Sequence, residues 1–315
     1  MICFPCIQRI ASFFAHSLFV PRTSLPRHSI FAFMSSHSDD SYTNSTHLER
    51  TESSERQEII AQASVTEITQ LSQSVKGLHL KVEDPAFTFK PGQWVDFFIP
   101  GLSTVGGFSI CSSPKKLKEK SIIELAVKYS EHPPAFWIHN ECHVGDKVQV
   151  RVGGSFYFDP LCGNANMPNL LLIAGGVGIN PLYSIVRHVA DICSDLQVQE
   201  HYTGKTMVLF SAKSTDELLF KDSLLEMSSR CPSIRCRFFT TNHETAGHNI
   251  HVSTNNRQIL HGRINETSVQ EAISDLDRSH LTCYICGPPP MIKDVTDILR
   301  KLDINEHRIH FEKWW

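Results

Sequence analysis

The 315-residue sequence contains no apolar run near the roughly 20 residues that cross a bilayer, so no membrane span is expected. It also lacks a large charge of either sign. Thirty basic residues stand against 33 acidic ones, a net of −3, which excludes the dense basic surface of a nucleic-acid partner. A disulfide framework is missing. Ten cysteines are present, but Cys3 and Cys6 lie at the extreme N-terminus and the other eight are scattered, as suits a reducing compartment. The Cys283-Tyr284-Ile285-Cys286 run has metal-ligand spacing, yet it sits in an apolar strand-like stretch where residues three apart face opposite sides. No second pair accompanies it, and His248 and His251 fall in a polar stretch, 242–257, that reads as a solvated loop. No bound metal is expected.

Acidic residues are absent from positions 1–38, which carry Arg9, Arg22, Arg27 and many Ser and Phe. That composition is expected of a mitochondrial transit peptide. A secretory signal competes, because Phe13 to Val20 is apolar, but Arg22 and Arg27 follow that run. Positions 39–56 are polar with almost no large apolar residues and are expected to be a disordered linker.

Two patterns follow. From 57 to 163 the chain alternates apolar and polar residues in short runs: Ile59 to Ile68, Val75 to Val82, Gln93 to Ile99, Ile122 to Val127 and Lys147 to Val152. Pro91-Gly92, Pro100-Gly101 and Gly145-Asp146 punctuate them, and Pro134 to Cys142 is helical in pattern. This predicts a small antiparallel barrel, although an open sandwich has the same pattern. From 168 to 315 strands and helices alternate. Met207 to Ala212, Arg235 to Thr240, Leu281 to Cys286 and Arg308 to Phe311 read as strands, and Leu218 to Ser228, Thr267 to Leu276 and Pro290 to Leu302 as helices. The expected fold is therefore β plus α/β: an antiparallel β-barrel followed by a parallel α/β domain with ligands beyond its strand ends.

The most informative run is Leu170 to Pro181, where an apolar strand ends in Gly175-Gly176-Val177-Gly178-Ile179-Asn180-Pro181. Gly176 and Gly178 lack the Cβ atoms that would hold a bulky anion away from the main chain. The helix start behind them offers free amides and a positive dipole end, the natural seat of a pyrophosphate. An ordinary strand–turn–helix corner has the same residues.

The order of Pro91-Gly92-Gln93-Trp94-Val95, Phe108-Ser109-Ile110-Cys111-Ser112, Gly145-Asp146-Lys147-Val148, the glycine turn and Cys286-Gly287-Pro288-Pro289-Pro290-Met291 resembles the ferredoxin–NADP reductase superfamily over about residues 60–315. The resemblance implies an FAD-binding barrel, 57–163, and an NAD(P)-binding half, 168–315. In its terms Phe108 packs on the flavin, Ser109 lies near the reacting nitrogen and Ser112 closes the motif. The run Gly175, Gly176, Val177, Gly178, Ile179 and Asn180, with Gly287 and Pro288, holds a nicotinamide dinucleotide. Cys286 stands against the nicotinamide, and a terminal aromatic, Trp315, covers the flavin ring. Gly106 stands where the family has an arginine on the flavin phosphate, and His132-Pro133-Pro134-Ala135 replaces a Gly-x-x-Ser helix start. Lys128 and Arg151 are the nearest substitute charges.

The implied activity is a flavin-dependent NAD(P)H oxidoreductase passing a hydride between nicotinamide and FAD, and then electrons to an unidentified acceptor, because no iron–sulfur cysteine cluster is present. Ser211-Ala212-Lys213-Ser214 carries no acidic residue for a ribose diol, so NADP(H) stays open beside NAD(H). The altered phosphate positions leave a second expectation: a catalytically degenerate NAD-binding protein, a sensor or assembly factor without bound flavin.

Overall fold

The computed structural model describes residues 45–160, 167–194, 202–242 and 259–313. The first sheet contains β1 (Ala61–Ser72), β2 (Val75–Val82), β3 (Trp94–Phe98), β4 (Gly106–Ser109), β5 (Ile122–Lys128) and β6 (Lys147–Gly153), in the order β4-β3-β6-β1-β2-β5. All its pairings are antiparallel. A bridge between Ile110 and Leu125 joins the two edges, and the Cys111 amide donates to the Glu124 carbonyl at 2.9 Å. The sheet is thus closed as a barrel. Alternation drives closure: Val148, Val150 and Val152 of β6 are fully buried while their neighbours face outward. The helix α3 (Pro133–Asn140) packs Ala135 and Ile138 into this core, and α2 (Pro114–Lys120) bridges the last strands. Strand β4 escapes the apolar pattern because two of its four residues are glycine.

The second sheet is parallel throughout. It comprises β7 (Asn169–Gly175), β8 (Thr206–Ala212), β9 (Ile234–Thr240), β10 (Ile259–His261), β11 (Leu281–Gly287) and β12 (Ile309–Lys313), ordered β10-β9-β8-β7-β11-β12. Every residue of β7 is buried, as a central strand covered on both faces requires. Helices α4 (Ile179–Ser194), α5 (Lys221–Arg230), α6 (Glu266–Ile273) and α7 (Pro289–Lys301) supply the cover. The chain leaves β7 toward β8 on one side and later returns to β11 on the other. The switch point of the sheet therefore lies between β7 and β11, where such folds bind ligands.

The expectation of a disordered linker over 39–56 is corrected for its described part. Residues 45–56 form a strap across the outer face of the barrel, with helix α1 (His47–Arg50) opened by a Thr46–Glu49 capping box. His47 is buried; its Nε2 donates to Asp96 Oδ1 at 2.9 Å and its ring meets Trp94 edge-on at 4.9 Å. Arg56 Nε donates to Asp96 Oδ2 at 2.9 Å, and Arg151 joins the same carboxylate. Polar composition hid this order, because the strap is held by paired charges and not by apolar bulk. Residues 39–44 lie outside the described residues, as do 1–38.

The barrel and the α/β half are joined by hydrogen bonds. Asn180 Nδ2 donates to the Ala126 carbonyl at 2.7 Å, Ser184 Oγ to the Ser112 carbonyl at 2.6 Å, and Tyr284 Oη to the Tyr157 carbonyl at 2.9 Å. Arg187 of α4 pairs with Glu124 of β5.

Candidate functional site

The glycine turn is built around two close approaches. A Cβ on Gly178 would lie 2.3 Å from the Cys286 carbonyl oxygen and 2.8 Å from the Gly287 amide nitrogen. Both are main-chain atoms, so the turn after β7 seats against the end of β11 only if residue 178 is glycine. Gly175 and Gly287 abut in the same way, within 3.1 Å of a Cβ built on Gly287. Gly176 is different. Its φ is +55°, and a Cβ there would meet nothing within 4 Å. The sequence expectation that both Gly176 and Gly178 clear space for an anion is thus corrected: Gly176 opens onto the crevice, and Gly178 permits strand-to-turn contact.

Behind the turn, α4 runs 16 residues and directs its positive end into the crevice. Ile179 is fully buried in the core, Val177 packs partly against it, and Pro288 leads into α7. Asn180 contributes its side chain elsewhere: the amide nitrogen is spent on the barrel, and the buried Oδ1 has no hydrogen-bond partner. Cys286 is fully buried, and burial, reinforced by Glu312, pushes its thiol well above the usual range. It supplies shape to the crevice as a neutral thiol. Cys283 belongs to the core on one face of the sheet and Cys286 to the core on the other, so the two thiols point apart.

The flavin motif is rearranged. Ser112 is buried in the barrel seam, where its hydroxyl accepts the Glu124 amide at 3.0 Å. Phe108 lies on the same face as Val95 and Phe97, and it meets the Phe97 ring edge-on at 5.5 Å inside the barrel. Ser109 is paired with Trp94 and shares the outer face. The aromatic beside Ser109 is therefore Trp94, which sequence reasoning passed over because Pro91-Gly92-Gln93-Trp94 reads only as a turn entering a strand. Trp315 lies outside the described residues.

The phosphate devices of the barrel are altered as well. A Cβ on Gly106 would fall 2.7 Å from the Phe108 ring and 2.9 Å from Pro134, leaving no room for the family's arginine. Helix α3 begins with Pro133 and Pro134, so its first two positions carry no N–H. Arg151 is bound to Asp96. The FAD diphosphate does not fit this helix start.

A cavity of about 260 Å³ lies on the outer face instead, between the strap, the barrel rim and the end of β12. Its walls include Arg50, Trp94, Ser155, Phe156, Phe311 and Lys313. Glu312 and Lys313 pair with Cys286 and Gly287, so the cavity adjoins the nucleotide crevice. Among the described residues no group of acidic, His and Cys side chains is arranged to hold a metal ion, and no helix is long and apolar enough to cross a membrane.

Residues 172–297 match the model of the oxidoreductase NAD-binding domain. The chain is 48% identical over 270 residues to Oxidoreductase NAD-binding domain-containing protein 1 of Danio rerio, covering 85% of this chain and 97% of that protein. It is 47% identical to the Homo sapiens protein of the same name over 272 residues, 85% of this chain and 84% of that one. Its fold is similar to a ferredoxin NADP+ reductase from Neisseria gonorrhoeae with bound FAD and NADP, with a TM-score of 0.58 at 17% identity, covering 81% of this chain and 99% of the other.

Proposed function

The chain belongs to the family of Oxidoreductase NAD-binding domain-containing protein 1, and from that premise we propose that it is an NAD(P)H oxidoreductase of the ferredoxin reductase kind. Reduced nicotinamide dinucleotide occupies the switch-point crevice and gives up a hydride to an acceptor held against the barrel. The observation that carries this is Gly176, a turn residue with positive φ that faces open space at the end of β7. Main-chain amides and the α4 dipole hold the pyrophosphate there without any charged side chain. The buried contact of Gly178 with Cys286 and Gly287 fixes the crevice wall, so the nicotinamide end is oriented before binding.

Gly176→Asp tests the site. Asp tolerates the left-handed region better than most residues, and its Cβ enters empty space, so folding is preserved. Its carboxylate, however, meets the phosphates. NADH affinity by calorimetric titration is expected to fall about 100-fold, equivalent to about 2.7 kcal/mol, with the melting temperature nearly unchanged. Unaltered affinity in a folded variant would remove the assignment.

We also propose mitochondrial residence, supported by the acid-free, arginine-bearing composition of residues 1–38. A fluorescent fusion lacking those residues is expected to stay in the cytosol. Continued organelle targeting of that truncation refutes the proposal.

A further inference from the structure

We propose that Ser72 and Ser74, at the tip of the β1–β2 hairpin, are positioning residues for the coenzyme: they grip the Glu217 carboxylate and so set the loop after β8, against which the adenosine half of the dinucleotide lies. This rests on nucleotide occupancy of the switch-point crevice and deepens it, because the barrel gains a share in coenzyme affinity without touching the coenzyme.

Sheet order places the loop. Strands β8 and β11 flank β7 on opposite sides. With the pyrophosphate at Gly176 and the nicotinamide against the β11 wall, the other half of the dinucleotide runs over the end of β8. Gly175 pairs with Ser211, so β8 ends level with the glycine turn, and residues 213–220 leave the sheet on the same edge.

The two ends of this loop are fixed by the α/β half itself. At the start, the Asn242 amide donates to the Lys213 carbonyl at 2.9 Å. At the far end Leu218 and Leu219 are buried, and Phe220 lies in the left-handed region with φ +59°. That conformation is strained for a bulky residue. It is held by flat stacking of the Phe220 ring on Tyr183, 4.1 Å between centroids. Between those ends the tie comes from the barrel. Ser72 Oγ donates to Glu217 Oε1 at 2.9 Å, and Ser74 Oγ donates to both carboxylate oxygens at 3.1 and 3.0 Å. Hydrogen bonds to a charged acceptor are the stronger kind.

The grip is built before the carboxylate arrives. The Ser74 amide donates to Ser72 Oγ at 3.3 Å, which aims the two hydroxyls together, and the Tyr129 amide donates to the Ser74 carbonyl at 2.8 Å. The hairpin is therefore braced by the barrel's own main chain. Both serines are only partly buried, so alanine at either position leaves the core intact.

The test is calorimetric titration of the full chain with NADH, ADP-ribose and reduced nicotinamide mononucleotide. It is repeated on Ser72→Ala/Ser74→Ala, on Glu217→Ala and on the three changes together. The serine pair variant is expected to lose affinity for NADH and for ADP-ribose about tenfold, equivalent to about 1.4 kcal/mol. The mononucleotide, which has no adenosine half, is expected to bind as it does to the parent. Glu217→Ala is expected to reproduce this pattern, and the triple variant to fall no further, because the three side chains act as one unit. Unchanged NADH affinity in both the serine pair variant and Glu217→Ala overturns the proposal. An equal fall for the mononucleotide also overturns it, since that would mean general loosening of the molecule, and so do losses that add in the triple variant. Occupancy of the crevice is read separately, by NADH binding to the parent and its loss in Gly176→Asp.

Discussion

The two halves of this molecule keep their ligand chemistry in different materials. In the α/β half the proposed site is main chain: glycine turn, helix dipole and the end of β11. In the barrel the resemblance expects side chains, and here Gly106 has no room for one, Phe108 turns toward Phe97, and Ser109 stays on the outer face beside Trp94. The main-chain site is locked by packing, since a substitution at Gly178 strikes the backbone of another strand before it ever touches a ligand. The side-chain site had no such constraint. Gly106 lies under Phe108 and Pro134, which leave no space for a longer side chain. Main-chain geometry at the turn is thus tied to the fold, whereas a side-chain contact can be lost without disturbing it.

The sharpest way to break this contrast is Gly178→Ala. One methyl group would sit 2.3 Å from the Cys286 carbonyl oxygen, and neither backbone can give way without disturbing β11. We expect a loss of about 3 kcal/mol, at the upper end for overpacking, and a fall in melting temperature of roughly 9 °C. A mild effect on stability with a selective loss of nucleotide binding would instead return Gly178 to the role of an anion-clearing residue.

The barrel offers the next largest effect. Asp96 is fully buried; burial alone would raise its pKa, but bonds from His47, Arg56 and Arg151 outweigh that and hold it at about 2, against an ordinary 3.8. A carboxyl whose folded pKa lies below its unfolded one stabilises above the unfolded value. That contribution, about 2 kcal/mol, is complete above about pH 4 and disappears as pH falls through about 2. Asp96→Asn is expected to cost about 3 kcal/mol at pH 7, because two guanidinium groups lose their partner. The gap between variant and parent, followed by denaturant melts, is expected to narrow below pH 4. A gap independent of pH would mean that shape, not charge, fastens the strap.

Legibility divides along the same line. Strands β2, β5, β6 and β7 were visible in alternation or unbroken apolarity, and α7 and β11 in the Cys286-Gly287-Pro288 punctuation. Barrel closure was not visible, because one bridge, Ile110 to Leu125, separates a barrel from a sandwich. Strand β4 was hidden by its glycines and β10 by its shortness. The strap was read as linker because a composition rule counts polar residues without knowing that Asp96, about 40 positions away, is waiting for them. At the site, Gly175 to Gly178 were found but their roles were blended, since a sequence cannot say which glycine faces space. Trp94, Arg50 and Lys313 were missed because each belongs to a different pattern and they share only the walls of one cavity.

Asn180 gives the smallest effect and the cleanest discrimination. Its position in the glycine-rich run assigns it to the nucleotide, whereas its amide nitrogen reaches the Ala126 carbonyl on β5 at 2.7 Å. Asn180→Ala removes one hydrogen bond between the two halves and leaves the Ala126 carbonyl without that donor, which costs about 1 kcal/mol. Part of that is offset, because the variant also deletes the buried Oδ1 that has no partner. The expected outcome is a melting temperature lower by roughly 2 °C with NADH affinity changed less than threefold. A tenfold fall in affinity at unchanged stability would place the side chain on the ligand. The turn would then bind its nucleotide through side chains as well as main chain, and the distinction between the two halves would narrow.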